Sequence, residues 1–95
     1  MFKKYDDKIV VLTSKNCPEC ESFKRRVMKR GDIKEHYVFL DIEDSDEAKI
    51  IADTFDIRAV PSLFGVRVVD RKVYLCKLND NYETEACMEA DLDEE

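Results

Sequence analysis

Five consecutive residues, Ile9-Val10-Val11-Leu12-Thr13, make a β-branched run with no polar interruption. A strand that alternates apolar with polar can leave one face in water. A continuous apolar run must be covered on both faces, which in a short chain calls for a central strand packed between helices. Ser14-Lys15-Asn16 breaks the run, and Cys20, Phe23, Val27 and Met28 then recur at helical spacing. Pro18 suits a first turn, where a missing N–H costs nothing, and Gly31 supplies a stop, so the spacing predicts a helix over 18–30. His36-Tyr37-Val38-Phe39-Leu40-Asp41-Ile42 reads as a second strand, rich in aromatic and branched residues. Strand, helix and strand in that order pack as a right-handed parallel crossover.

Ser45-Asp46-Glu47 reads as an N-cap with an acidic first turn, and Ala48, Ile51, Ala52 and Phe55 give a second helix its apolar stripe. After Pro61, residues 63–69 form a third strand, Asp70-Arg71-Lys72 a turn, and residues 73–78 a fourth strand. So short a connection makes that pair antiparallel. Asn79 or Asp80 caps a last helix through Tyr82, Ala86, Cys87 and Ala90, with 91–95 frayed. The expected architecture is α/β, with helices flanking a small mixed sheet.

Ninety-five residues fill one core, so the chain reads as one domain over 1–95. A chain of this size buries roughly 65% of its unfolded surface, enough to fold without covalent struts. The four cysteines are therefore free for other work. No apolar run reaches the length of a membrane span, and the first eight residues carry charge around their aromatics rather than a secretory apolar region. A cytoplasmic, reducing location is expected, where cysteines at short spacing serve catalysis or metal binding more often than structure.

The net charge of -6 is unevenly spread: residues 1–40 carry ten Lys/Arg against six Asp/Glu, and residues 41–95 carry six against sixteen. Such an acidic chain is a poor partner for nucleic acid, which needs a positive footprint. The basic cluster Lys24-Arg25-Arg26 with Lys29-Arg30 falls in the last turns of the first helix, where cations complement the macrodipole, and reads as a solvated face.

Cys17-Pro18-Glu19-Cys20 stands where the first strand hands over to the first helix. A thiolate there is stabilised by unpaired N–H groups and the positive end of the helix dipole. Spacing of i, i+3 puts the second thiol one turn behind the first, positioned to attack a mixed disulfide. Cys17 is thus expected as an exposed nucleophile and Cys20 as a buried resolving thiol. Glu19 opposes a nearby thiolate and Lys15 favours one; Lys15 is also placed to meet a substrate carboxylate. A zinc site would need two further ligands, with Cys76, Cys87 and His36 as the candidates besides carboxylates. Cys76 and Cys87 form no second knuckle and are read as free buried thiols, and His36 as a surface residue. Tyr74 and Tyr82 are read as core or rim.

At these residues the chain resembles the thioredoxin superfamily. The CxxC between first strand and first helix, with Val60-Pro61 opening the third strand, is the superfamily arrangement. Phe55-Asp56-Ile57-Arg58-Ala59-Val60-Pro61-Ser62-Leu63 looks like the thioredoxin stretch around its cis-proline, while Thr13-Ser14-Lys15-Asn16-Cys17-Pro18-Glu19-Cys20 looks more like a glutaredoxin active site. The resemblance implies a thioredoxin-like fold, βαβ-α-ββ-α, with a four-stranded sheet in the order 2-1-3-4 and a cis peptide before Pro61. It implies a dithiol-disulfide oxidoreductase in which Cys17 and Cys20 are catalytic, and Lys15, Pro18, Val60 and Pro61 face a disulfide-containing protein substrate. No metal and no bound cofactor are implied. A separate reductant, thioredoxin reductase with NADPH or glutathione, would recycle a monomeric carrier. The chain also departs from the family: Asn16 replaces the tryptophan before the first cysteine, Val11 replaces the buried aspartate behind the pair, and Ala59 replaces the glutaredoxin threonine before Val-Pro. The Gly-Gly of a glutathione site is absent from a chain with only two glycines. Two other classes stay open, a thioredoxin-fold binding module that docks a basic partner through its acidic half, and a metal-binding protein.

Overall fold

A computed structural model of the chain describes residues 2–89. A single 3-10 turn, Lys3–Tyr5, precedes β1 (Ile9–Thr13), α1 (Pro18–Met28), a second 3-10 turn at Lys34–His36, β2 (Tyr37–Asp41), α2 (Asp46–Thr54), β3 (Ser62–Val69), β4 (Lys72–Leu78) and β5 (Thr84–Glu89). The strands form one mixed sheet in the order β2-β1-β3-β4-β5. β1 and β2 run parallel, and the other neighbours are antiparallel. The first four strands take the order implied by the family resemblance, and a fifth is added at the β4 edge.

The continuous apolar run does what its composition demands. Val10, Val11 and Leu12 are fully buried at the centre of β1. Val10 and Leu12 join Phe2, Phe64, Val66, Val73 and Leu75 against Ala48 and Ile51 of α2, which makes the main core. Val11 points to the opposite face, where its register partners are Phe39 and Leu63. That face is covered by α1, whose Phe23 packs edge-on against Tyr37 and Phe39. The two helices therefore lie on opposite faces of the sheet, and full burial of a side chain such as Phe64 contributes about 1.5–3 kcal/mol.

Local chemistry sets the ends of the helices. Ser45 caps α2 by accepting the Ala48 N–H at 3.1 Å. α1 stops at Met28, before the expected end at residue 30, because the Arg30 N–H reaches back only three residues to the Val27 carbonyl and tightens the chain into a turn. Gly31 is not the stop expected of it, since it does not take the left-handed conformation. The β3–β4 connection is a two-residue reversal at Asp70 and Arg71, both at positive φ, as the mirror-image hairpin turns require.

The expected last helix does not form. Residues 84–89 are a strand, paired antiparallel with β4 through Tyr74↔Glu89, Leu75↔Met88, Cys76↔Cys87, Lys77↔Ala86 and Leu78↔Thr84. Asn79 does not begin a helix: its side-chain oxygen accepts the N–H groups of Asn81 and Glu83 at 2.8 and 3.0 Å and turns the chain back on itself. Cys76 and Cys87, expected as free thiols, are joined in a disulfide across the new pair. The sheet therefore has five strands and the fold two helices among the described residues. Ala90 and the expected frayed end at 91–95 lie outside those residues.

The N-terminal turn is fastened to α2 through Glu47. The Tyr5 hydroxyl donates to Glu47 Oε1 at 2.6 Å, and Lys4 Nζ lies 2.9 Å from Oε2. Burial pushes the Glu47 carboxyl up, but the hydrogen bonds from Tyr5 and Lys4, with the Lys4 charge, outweigh it and hold the group below its ordinary value of 4.5. A carboxylate whose folded pKa is depressed adds stability above its unfolded pKa, and that stability is lost as pH falls through the folded value. The melting temperature of the wild type should therefore drop more steeply below about pH 4.5 than that of Glu47→Gln. Tyr5→Phe should cost about 1 kcal/mol at neutral pH in urea unfolding.

Candidate functional site

Cys17 is the N-cap of α1. Its backbone is extended, Pro18 takes the first helical position, and its Sγ accepts the Cys20 N–H at 3.0 Å. This places a sulfur where a serine or aspartate oxygen would ordinarily sit, on one of the orphan donors of the helix start. Cys20, one turn on, is bonded to Cys17 in a disulfide. The contrast expected between an exposed first cysteine and a buried second is slight in this oxidised pair, at 7% and 4% exposure. Pro18 is exposed beside them.

The other side of the site comes from the segment entering β3. The Val60–Pro61 peptide bond is cis, as the resemblance implied. The Val60 carbonyl oxygen lies 3.7 Å from Cys17 Sγ, a contact across 43 residues of chain. Ser62 fixes this turn by donating its hydroxyl to the Ala59 carbonyl at 2.7 Å. Val11 is fully buried and Leu63, its register partner on the α1 face of the sheet, nearly so; Leu63 lines the groove beside Pro18 and Pro61.

Lys15 is drawn elsewhere. Its ammonium lies 3.2 Å from Asp44 Oδ1, and the hydrogen bond and charge of Asp44 raise its pKa. The residue lines a hollow of about 230 Å³ with Thr13, Cys20 and Asp41, on the β2 side of the pair. His36 is exposed in the 3-10 turn before β2.

A larger groove, about 530 Å³, opens on the side of Pro18 and Pro61. Phe23 and Leu63 supply apolar surface, Glu19 and Arg26 of α1 supply charge, and Asp80 and Tyr82 complete the lining from the loop at 79–83. The Tyr82 hydroxyl is hydrogen-bonded to that of Tyr37 at 2.7 Å, which ties the loop to the start of β2. Burial first, and then this bond, push the Tyr37 phenol well above its ordinary range. Sequence reading brought Cys17, Cys20, Pro18, Val60 and Pro61 together, as the structure does. It missed Phe23, Arg26, Asp80 and Tyr82 as groove residues. Phe23 was visible as an apolar helix position, but nothing local showed that the chain after Asn79 would turn back towards α1.

A cysteine pair capping the first helix, opposite a cis-proline on a mixed sheet between two helices, defines a thioredoxin-superfamily domain. Comparison with protein families agrees: the description "Thioredoxin-like domain" matches residues 3–68, more than half of the 95, and the chain belongs to that family. No curated protein and no solved structure matches it. The family match ends within β3, so β4, β5 and the second disulfide lie beyond it.

If the Cys17 sulfur serves as the helix cap, serine should substitute for it and alanine should not. With reductant present to remove disulfides from the comparison, Cys17→Ala should be about 1 kcal/mol less stable than Cys17→Ser in urea unfolding.

Proposed function

We propose that the protein is a dithiol-disulfide oxidoreductase that reduces disulfides in protein substrates through Cys17 and Cys20. The observation that carries this reading is the Cys20 N–H directed at Cys17 Sγ at a helix N-terminus, with the partner sulfur within bonding reach. Negative charge developing on that sulfur meets a hydrogen-bond donor already in place and the positive end of the helix dipole.

In the reduced protein the Cys17 thiolate attacks one sulfur of the substrate disulfide. A Cys17–substrate bond forms, the substrate S–S bond breaks, and the second substrate sulfur leaves as a thiolate that takes up a proton. Cys20, deprotonated, then attacks Cys17 Sγ and expels the first substrate sulfur. Two electrons have moved to the substrate, and Cys17 and Cys20 are left joined as in this structure. An external donor, thioredoxin reductase with NADPH or glutathione, returns two electrons and two protons. Val11 offers no carboxylate, and the carboxylates that share a hollow with Cys20 are Asp41 and Glu21.

Pro18, Pro61 and the Val60 backbone form the substrate-facing edge, where an extended chain can pair with the half-buried Val60 backbone. Lys15, engaged by Asp44, acts on the opposite side of the pair and only when that exposed ion pair opens. No described helix is long and apolar enough to cross a membrane. We place the protein in the cytoplasm, acting as a monomer. Zinc at Cys17 and Cys20 gains no support from the other two cysteines, which are engaged with each other.

With dithiothreitol as electron source, the wild type should reduce insulin disulfides, Cys17→Ser should be inert, and Cys20→Ser should accumulate a covalent adduct with substrate visible by mass spectrometry. Turnover undiminished in Cys17→Ser would exclude this mechanism. If the Cys17→Ser/Cys20→Ser protein retains full biological function, the chain is a binding module instead.

A further inference from the structure

The second disulfide sits at the base of the loop that walls the groove. Cys76 on β4 and Cys87 on β5 are directly opposite in the register, and the chain between them carries the loop at 79–83 with Asp80 and Tyr82. Apart from its backbone pairing with β4 and the Asn79 turn, little else among the described residues holds β5 in place. All six of its residues are exposed, it pairs on one side only, and its ladder is already broken by an irregularity at Lys77/Leu78. A single ion pair, Lys77 Nζ to Glu85 Oε1 at 3.3 Å, ties its side chains to β4. The sequence itself pulls the other way, since Glu85, Ala86, Met88 and Glu89 are better helix formers than strand formers. A strand with so little packing and contrary local preference depends on its covalent tie.

We propose that the Cys76–Cys87 disulfide is a redox-controlled clamp on the substrate groove: closed, it holds the 79–83 loop against α1 as a wall that grips a peptide, and reduced, it frees β5 and removes that wall. The proposal rests on the oxidoreductase reading and adds regulation to the same site. Cys87 is exposed and Cys76 half-buried, so a dithiol reductant has access to the bond. One of its thiolates attacks Cys87 Sγ and the S–S bond to Cys76 breaks. The second thiol of the reductant resolves the mixed disulfide. Cys76 and Cys87 end as two thiols with two electrons and two protons gained, and the reductant ends as a disulfide. The loop then keeps the hydrogen bonds of its own turn around Asn79, but what ties it to the β2 side of the groove among the described residues is the Tyr82–Tyr37 bond, between two hydroxyls that water can satisfy equally well.

Two measurements on the full chain test this. The first is amide hydrogen exchange of the oxidised wild type against Cys76→Ser/Cys87→Ser. Amides of 79–89 should exchange at least about tenfold faster in the variant, while those of β1 and β3 keep their protection and show that the fold is intact. Unchanged exchange at 79–89 overturns the clamp. The second is single-turnover oxidation of a reduced two-cysteine peptide by the Cys17–Cys20 disulfide, followed by quenched mass spectrometry that identifies which pair has been reduced. Dithiothreitol, which needs no groove, is the reference. The initial rate with peptide, relative to that with dithiothreitol, should fall several-fold in Cys76→Ser/Cys87→Ser and in Tyr82→Ala. Equal ratios in all three proteins overturn the clamp and leave the oxidoreductase reading standing. A wild type that oxidises neither thiol overturns both.

Discussion

β1 has no solvent on either face at its centre, and that burial forces the chemistry to its end. A chain leaving a fully covered strand must satisfy its next backbone donors within a few residues, before α1 can supply partners. The Cys17 sulfur does this for the Cys20 N–H. One contact therefore starts the helix, fixes the spacing of the two sulfurs and sets a donor where charge will appear. Pro18 at the first helical position has no N–H to satisfy, so it narrows the turn without adding an orphan.

The opposite wall of the site depends on the same strand. β3 lies beside β1 in antiparallel register, Leu12 opposite Ser62, and this brings the Ala59-Val60-Pro61 turn to the end of β1 from which Cys17 departs. Ser62 and Ala59 hold that turn by one short hydrogen bond. Cys17 is thereby set between a helix N-terminus and the Val60 backbone carbonyl, while Cys20 borders the hollow that Thr13 and Asp41 also line. Charge stays at the margins: Glu19 and Arg26 line the groove, and Lys15 is matched to Asp44. The acidic excess of the second half of the chain is thus partly balanced against the basic first half by pairs such as Lys15–Asp44 and Lys4–Glu47.

Beyond β3 the molecule is organised by a different rule. β4 would present an open edge of unpaired backbone groups, and β5 covers it. The covering strand carries no core residue, and its side chains remain exposed. Its place is set by backbone pairing, by the Asn79 side chain that reverses the chain, and by the Cys76–Cys87 bond. The loop so formed brings Asp80 and Tyr82 to a groove whose other residues belong to the family-matched part of the chain.

The elements legible from the residues alone are those whose signals are local and mutually consistent. The apolar run of β1, the proline and cysteine at the start of α1, the Ser45 cap and the Val60-Pro61 entry to β3 each dictate one backbone state, and all of them agree with the sheet they build. The remainder was settled by contacts between distant segments. Residues 84–89 have a helix-forming composition, and a polar residue such as Asn79 can cap a helix or close a turn with the same oxygen. The choice fell to β4, whose edge needed partners, and to Cys76, whose bonding partner stands 11 residues further on. Neither requirement is written in the segment that answers it, because hydrogen-bond demand at a sheet edge exists only once the sheet is there.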